Sequence, residues 1–223
     1  MSRSLVVLRP EPGNSQTARR IEEAGFTAIR LPLFVVRPLP WPAPERAHDA
    51  LILTSANAMR HGGAQLAALT GLPVYAVGPA TAMSAQAMGF KVVRTGSEGV
   101  DALLDQARAD GVRRALHLTG RDHRLSRIPP IAEIREVYAS EACAIDTAAT
   151  RSLEQQVALV HSPRAGEAFA ALADREALNR GKIAIAAISP AAAQAVGGGW
   201  RNIAVADAIS DAAVIAAATS LAD

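Results

Sequence analysis

The chain predicts an α/β fold of two similar domains, each a parallel sheet flanked by helices, and three observations carry that expectation. Short apolar runs alternate with amphipathic stretches along the 223 residues. One strand–hydroxyl–helix junction occurs twice, as "ALILTSANAMRHGGAQL" from Ala50 and as "ALVHSPRAGEAFAAL" from Ala158. Proline-rich or polar connectors separate the alternating blocks. Alternation of this kind implies parallel strands, because a parallel connection needs a crossover element and that element covers a face of the sheet.

In chain order, Leu5 to Leu8 is a short apolar run stopped by "RPEPG", a strand and then a turn. Asn14 or Ser15 is the expected cap of a helix ending near Gly25, with Ala18, Ile21 and Ala24 at helical spacing. "FTAIRLPLFVV" reads as a second strand. Pro38, Pro40, Pro42 and Pro44 then exclude both helix and central strand, so this stretch reads as a linker. Strands follow at Leu51–Thr54, Val74–Val77, Val92–Arg94 and Ala115–Leu118, the first three leading into helices through Leu69, over Pro79–Met88 and over Asp101–Asp110. A loop and a short helix near Ile131 precede a strand over Ile134–Ala139. A polar linker near residues 145–152 introduces the strands Ala158–His161, Ile183–Ile188 and Ile203–Ala206, each followed by a helix.

Residues 1–36 supply only two strands, too few to bury a sheet. The economical arrangement is a discontinuous domain of residues 1–36 and 147–223, with residues 37–146 inserted as a second domain. Two chain crossings then join the domains and leave a cleft between them. Two sequential domains are the rival arrangement.

Composition narrows the function. Half of the residues are hydrophobic and a fifth are charged, which is enough for a core and excludes disorder. The net charge of +2 is too balanced to imply nucleic acid. Cys143 stands alone, so no internal disulfide forms and a reducing compartment fits. No apolar run approaches the roughly 18 residues that span a bilayer. These features read as a cytoplasmic protein with no membrane partner.

The internal echo continues: "VYAVGPATAMSAQAMGFKVV" lines up with "IAIAAISPAAAQAVGGGWRNIAV". In each, a strand reaches Gly-Pro or Ser-Pro and a small-residue helix follows, with Pro at the first helical position. Ser55, Thr81, Ser162 and Ser189 therefore fall where a strand's C-terminal end turns into a helix start. In open parallel sheets ligands bind at that edge, and helix N-termini there favour anions. The plainer reading of each hydroxyl is an N-cap. No GxGxxG follows a strand, and GxxxxGK[ST], HExxH, CxxC and GxSxG are absent. His117 and His123 flank "LTGR" but lack the partners of a metal site, so no metal and no cofactor are expected.

The motifs taken together resemble the uroporphyrinogen-III synthase family. "LRPEPGNSQTARRIEEAGFTAIRLPLF" resembles that family's opening, and "DALILTSANAMR", "VYAVGPATAMSAQAMGFKVV", "LHLTGRDHR", "EVYASEACA", "VHSPRAGEAF" and "AISPAAAQA" follow in the family's order. The resemblance implies a cofactor-free monomeric lyase that closes linear hydroxymethylbilane to uroporphyrinogen III, inverting ring D and losing water. It also implies two α/β domains joined by a two-strand connection. Between "GRDHR" and "VYAS" the chain departs from the pattern: it is short and lacks a Gly before the strand, which bears on how Arg121 and Arg124 are presented.

By the same resemblance Tyr138 corresponds to the family's tyrosine and is expected to donate a hydrogen bond to the departing hydroxyl, with Thr81 the next catalytic candidate. Arg9, Thr54, Ser55, Asn57, Gly78, Gly120, Arg121, Ser162 and Ser189 are the expected substrate-binding positions. Such a reaction is decided by positioning, since a hundredfold preference between two ring closures requires only about 2.7 kcal/mol. Arg164 is read as surface solvation, Tyr75 as core and Trp200 as packing. From the residues alone, a non-catalytic two-domain protein that binds an acidic small molecule is the second reading.

Overall fold

The computed structural model describes residues 2–97, 99–123, 125 and 128–222. The chain divides into two compact units, Met1–Val35 with Ala142–Asp223, and Val36–Glu141.

The first unit carries a five-stranded sheet of β1 (Leu5–Val7), β2 (Ala28–Arg30), β9 (Val157–Val160), β10 (Ala184–Ala187) and β11 (Asn202–Val205), in the order β11-β10-β9-β1-β2. All four pairings are parallel. β1, β9 and β10 are buried at every position, as continuous apolar strands must be when helices cover both faces. The period of two sorts their side chains. Val6, Ala158, Val160, Ile185 and Ala187 pack with α6 (Pro163–Arg175) and α7 (Pro190–Val196). Leu5, Val7, Val157, Leu159 and Ala186 pack with α1 (Gly13–Glu23) and α8 (Asp211–Ala222). A Cβ on Gly166 would lie 3.0 Å from the Ala192 carbonyl oxygen, so this glycine is what lets α6 and α7 approach. Phe169, fully buried, stacks on Trp200 with ring centroids 5.4 Å apart. The Trp200 indole N–H donates to the Val196 carbonyl, which confirms its packing role.

The second unit carries a six-stranded sheet in the order β3-β8-β7-β4-β5-β6: β3 (Phe34–Pro38), β4 (Ala50–Leu53), β5 (Val74–Val77), β6 (Val92–Gly96), β7 (Ala115–Gly120) and β8 (Ile131–Ala142). β4 pairs parallel with β5 and β7, β5 with β6, and β7 with β8. One face holds Leu51, Leu53, Ala76, Leu116 and Leu118 against α2 (Ala56–His61) and α3 (Pro79–Ala87). The other holds Ile52, Tyr75 and Ala115 against α4 (Val100–Ala109). Tyr75 is core, as expected, and its hydroxyl donates to Asp110 at 3.0 Å.

Several local expectations are corrected. The stretch 26–36 is two strands: Pro32 removes a backbone donor, β2 ends before it and β3 joins the other sheet. α1 starts at Gly13 with neither expected cap, because the Asn14 amide instead donates to the Val7 and Arg9 carbonyls and Ser15 bonds Glu11. The helix after β4 breaks at Gly62-Gly63, where Gly63 has φ +72°, and a separate 3-10 helix covers Ala64–Leu69. Ile131 opens β8 opposite Ala115 instead of lying in a helix. The proline-rich stretch is pinned: Trp41 is buried and its indole N–H donates to the Gly62 carbonyl at 2.8 Å. The polar linker near residue 147 contains a short helix, α5 (Thr147–Thr150), capped by Asp146.

Phe169→Ala removes a fully buried ring and its stacking partner's contact. It should lower the stability of the first unit by about 3–5 kcal/mol, read as a shifted urea midpoint.

Candidate functional site

The C-terminal edge of the second unit's sheet gathers most of the candidate residues. Thr54 and Ser55 follow β4, Gly78 follows β5, Gly120 ends β7 and Tyr138 lies in β8 opposite Gly120. β5, β4, β7 and β8 are consecutive neighbours in the sheet, so these positions span about 15 Å at a strand spacing of about 4.8 Å.

Each position has a local cause. Ser55 leaves the strand in extended conformation and its hydroxyl oxygen accepts the Asn57 backbone N–H at 3.2 Å. The Asn57 side-chain oxygen is taken by Arg60 at 3.1 Å. Gly78, at φ +80°, makes the left-handed turn into α3, and Pro79 supplies its first residue. Thr81 therefore lies inside the first turn of α3, only 5% exposed, and is not a cap. Gly120 is needed by Tyr138: a Cβ there would meet the ring carbon Cε2 at 2.5 Å. The Tyr138 ring thus lies on the backbone of β7. Arg121 is exposed, and its backbone N–H donates to the Tyr138 carbonyl at 2.9 Å. Arg124 lies outside the described residues.

His61, at the end of α2, was not anticipated. Its ring is 6.3 Å from that of Tyr138, tilted by 42°. Burial first, and the neighbouring Arg60 charge second, push its pKa below the ordinary histidine value, so the imidazole is neutral at pH 7. His117, buried in β7, bonds the Ile52 carbonyl at 3.0 Å, and burial is the main reason that its pKa is also lowered.

In the first unit, Arg9, Ser162 and Ser189 follow the adjacent strands β1, β9 and β10 at the corresponding edge. Ser162 and Ser189 cap α6 and α7, accepting the N–H groups of Ala165 at 3.2 Å and Ala192 at 3.3 Å. Capping occupies an acceptor lone pair and leaves the O–H free to donate, so the plain reading and the binding reading are compatible. Arg9 is engaged within the unit: its guanidinium bonds Asp211 at 3.1 Å. Asp211 also accepts from Thr17 at 2.6 Å, from Arg20 and from His161 at 2.9 Å, while its own side chain is only 11% exposed. Burial alone would raise its pKa, but the bonds from His161, Thr17 and Arg20 outweigh it and hold the carboxyl well below the usual range. Asp211 went unanticipated although "SDAAV" carries a helix-start signal, Ser210 capping the backbone of Ala213. Arg164 is not simply solvated; its guanidinium lies 4.4 Å over the Phe34 ring.

The second sheet departs from the expected all-parallel order at its edge, where β3 runs antiparallel to β8: the Leu39 N–H donates to the Val137 carbonyl and the Cys143 N–H to the Leu33 carbonyl. Fold and edge together define a two-unit α/β protein of mainly parallel sheets whose hydroxyls and helix starts suit an anionic small molecule. The family model described as uroporphyrinogen-III synthase HemD matches residues 15–216, and the chain belongs to that family. Two solved structures share the fold. Uroporphyrinogen-III synthetase from Helicobacter pylori 26695 matches with a TM-score of 0.67 at 19% identity, over 98% of this chain and 99% of that one. A mutant uroporphyrinogen III synthase from the extremely thermophilic bacterium Thermus thermophilus gives 0.51 at 15% identity, over 95% and 96% of the respective chains. No curated protein matches significantly.

Two outcomes are expected. Gly120→Ala should force the Tyr138 ring off β7, shifting its NMR resonances and costing about 1–3 kcal/mol of stability. Asp211→Asn should cost about 2–4 kcal/mol at pH 7 by urea denaturation. Because the folded-state pKa is depressed, this contribution is present above about pH 4 and is lost as the pH falls further, so wild type and variant should converge in acid.

Proposed function

We infer that this chain closes linear hydroxymethylbilane to uroporphyrinogen III, with ring D inverted and water lost, as a cofactor-free lyase of tetrapyrrole biosynthesis. One observation carries the assignment of roles: the Tyr138 ring seated on Gly120, at the same sheet edge as Thr54, Ser55, Gly78 and Thr81. The phenol O–H of Tyr138 donates a hydrogen bond to the oxygen of the leaving hydroxyl and eases C–O cleavage. The azafulvene left behind is electron-deficient at its methylene carbon and cyclises readily, so the protein's task is to choose which ring D carbon attacks.

That choice rests on geometry. The hydroxyls of Thr54, Ser55 and Thr81, and in the other unit those of Ser162 and Ser189, donate to substrate carboxylates. First-turn N–H groups of the helices behind them add their partial positive charge, about 0.3–1 kcal/mol each. Asn57 and Arg121 complete the contacts in the second unit. Arg9 is steadied by Asp211 and offers its remaining N–H groups. The working state in this reading is a cytoplasmic monomer.

Tyr138→Phe should lower turnover about tenfold to a hundredfold with the thermal midpoint unchanged. Purified protein supplied with freshly generated hydroxymethylbilane should yield uroporphyrinogen III, resolved from isomer I by chromatography. Isomer I alone would favour the non-catalytic binder, and wild-type turnover in the phenylalanine variant would remove the role given to the phenol.

A further inference from the structure

Linear hydroxymethylbilane brings two kinds of polar group: carboxylates, which need donors, and pyrrole N–H groups, which need an acceptor. The hydroxyls at the Tyr138 edge serve the first kind, and His61 is placed to serve the second. Its position at the end of α2 is fixed from both sides. A Cβ on Gly62 would lie 2.7 Å from the Ala58 carbonyl oxygen, and the Gly62 carbonyl accepts the buried Trp41 indole N–H at 2.8 Å. Gly63, at φ +72°, then turns the chain away. α2 packs on the sheet face that also carries the Tyr138 ring, and the two rings stand 6.3 Å apart between centroids. Both residues are half-buried. Among the described residues, neither the His61 nitrogens nor the Tyr138 hydroxyl has a hydrogen-bond partner, and none of these atoms is sealed from solvent. Two adjoining polar heads are thus open to one guest.

The surroundings keep the imidazole an acceptor. α3, packed against α2, carries no ionisable side chain, nor does the neighbouring 3-10 helix. β7 turns Leu116 and Leu118 towards α2. Arg60, exposed on α2 itself, is the charge that the imidazole feels, and Tyr138 is the titratable group that β8 brings to it. Burial and the Arg60 charge hold the histidine pKa below its ordinary value. A neutral imidazole has one lone-pair nitrogen in either tautomer, and no internal partner claims either nitrogen, so the guest selects which one accepts.

We propose that His61 is the base of the elimination, accepting the N–H proton of the pyrrole whose hydroxymethyl group departs; this deepens the ring closure inferred above and rests on it. In that pyrrole the N–H nitrogen and the leaving oxygen are three bonds apart, so one ring meets both heads, Tyr138 at the oxygen and His61 at the nitrogen. As the C–O bond breaks, its electron pair leaves with the oxygen, which takes the phenol proton and departs as water. The N–H electron pair stays on nitrogen, and the ring's π electrons complete the exocyclic C=C bond of the azafulvene. The imidazolium then returns its proton to the phenolate beside it. Both side chains are restored, and the balance is azafulvene plus water.

The test compares wild type with His61→Gln and His61→Ala, each supplied with freshly generated hydroxymethylbilane from about pH 5 to pH 8, with folding followed by the thermal midpoint. Glutamine still accepts a hydrogen bond but takes no proton. Wild-type turnover should fall as the pH drops through the His61 pKa, because protonation removes the base, and that pKa is read separately from the NMR titration of the His61 ring. Both variants should turn over about a hundredfold more slowly at pH 7 and lack this acid limb. Wild-type turnover in the glutamine variant, or a loss that keeps the acid limb, would overturn the base and leave the ring closure standing. So would a wild-type acid limb displaced from the measured His61 pKa, a comparison that needs no variant. Wild-type protein that yields no uroporphyrinogen III would overturn the ring closure and the base together.

Discussion

The constraint on which everything else depends is the parallel ladder. A parallel strand returns only through a crossover, and here helices pack on both faces of each sheet, although among the described residues the crossover from β7 to β8 carries none. That arrangement leaves no face free for a ligand, so chemistry is pushed to the strand ends. It also places every strand-to-helix turn on one edge. Ser55, Gly78 and Gly120 share the C-terminal edge of one sheet, and Arg9, Ser162 and Ser189 that of the other sheet, because each ladder leaves its own residues no alternative.

The two edges are furnished differently. In the second unit the distinguishing contact is steric: a ring lies where a glycine has no side chain, and the position of Tyr138 is fixed by Gly120 across the strand pair. In the first unit it is electrostatic, with one carboxylate, Asp211, gathering Arg9, Arg20, Thr17 and His161 from three other elements. Steric placement is insensitive to pH and salt, whereas the carboxylate hub depends on remaining ionised.

Much of the architecture could be read in advance, because it follows from local pattern. Alternating runs announced parallel sheets, and the Ser-Pro and Gly-Pro junctions marked three helix starts within a residue. What escaped was set by partners distant in sequence. Pro32 splits an apparently continuous strand between two sheets, a division that only the pairing of β2 with β1 and of β3 with β8 reveals. Asn14 looks like a cap, yet the Val7 and Arg9 carbonyls claim its amide. Asp211 receives Arg9 from 202 residues away, and no local signal announces that meeting. His61 sits beside Tyr138 only because Gly62-Gly63 stops α2 there.

The choice of capping residue has a consequence of its own. Aspartate caps a helix as well as serine does, and Asp146 performs that task for α5. At Ser55, Ser162 and Ser189 the cap is uncharged. An acid there would satisfy the helix equally well while repelling any polycarboxylate that approached, so neutrality at these turns separates what folding tolerates from what an anionic guest requires.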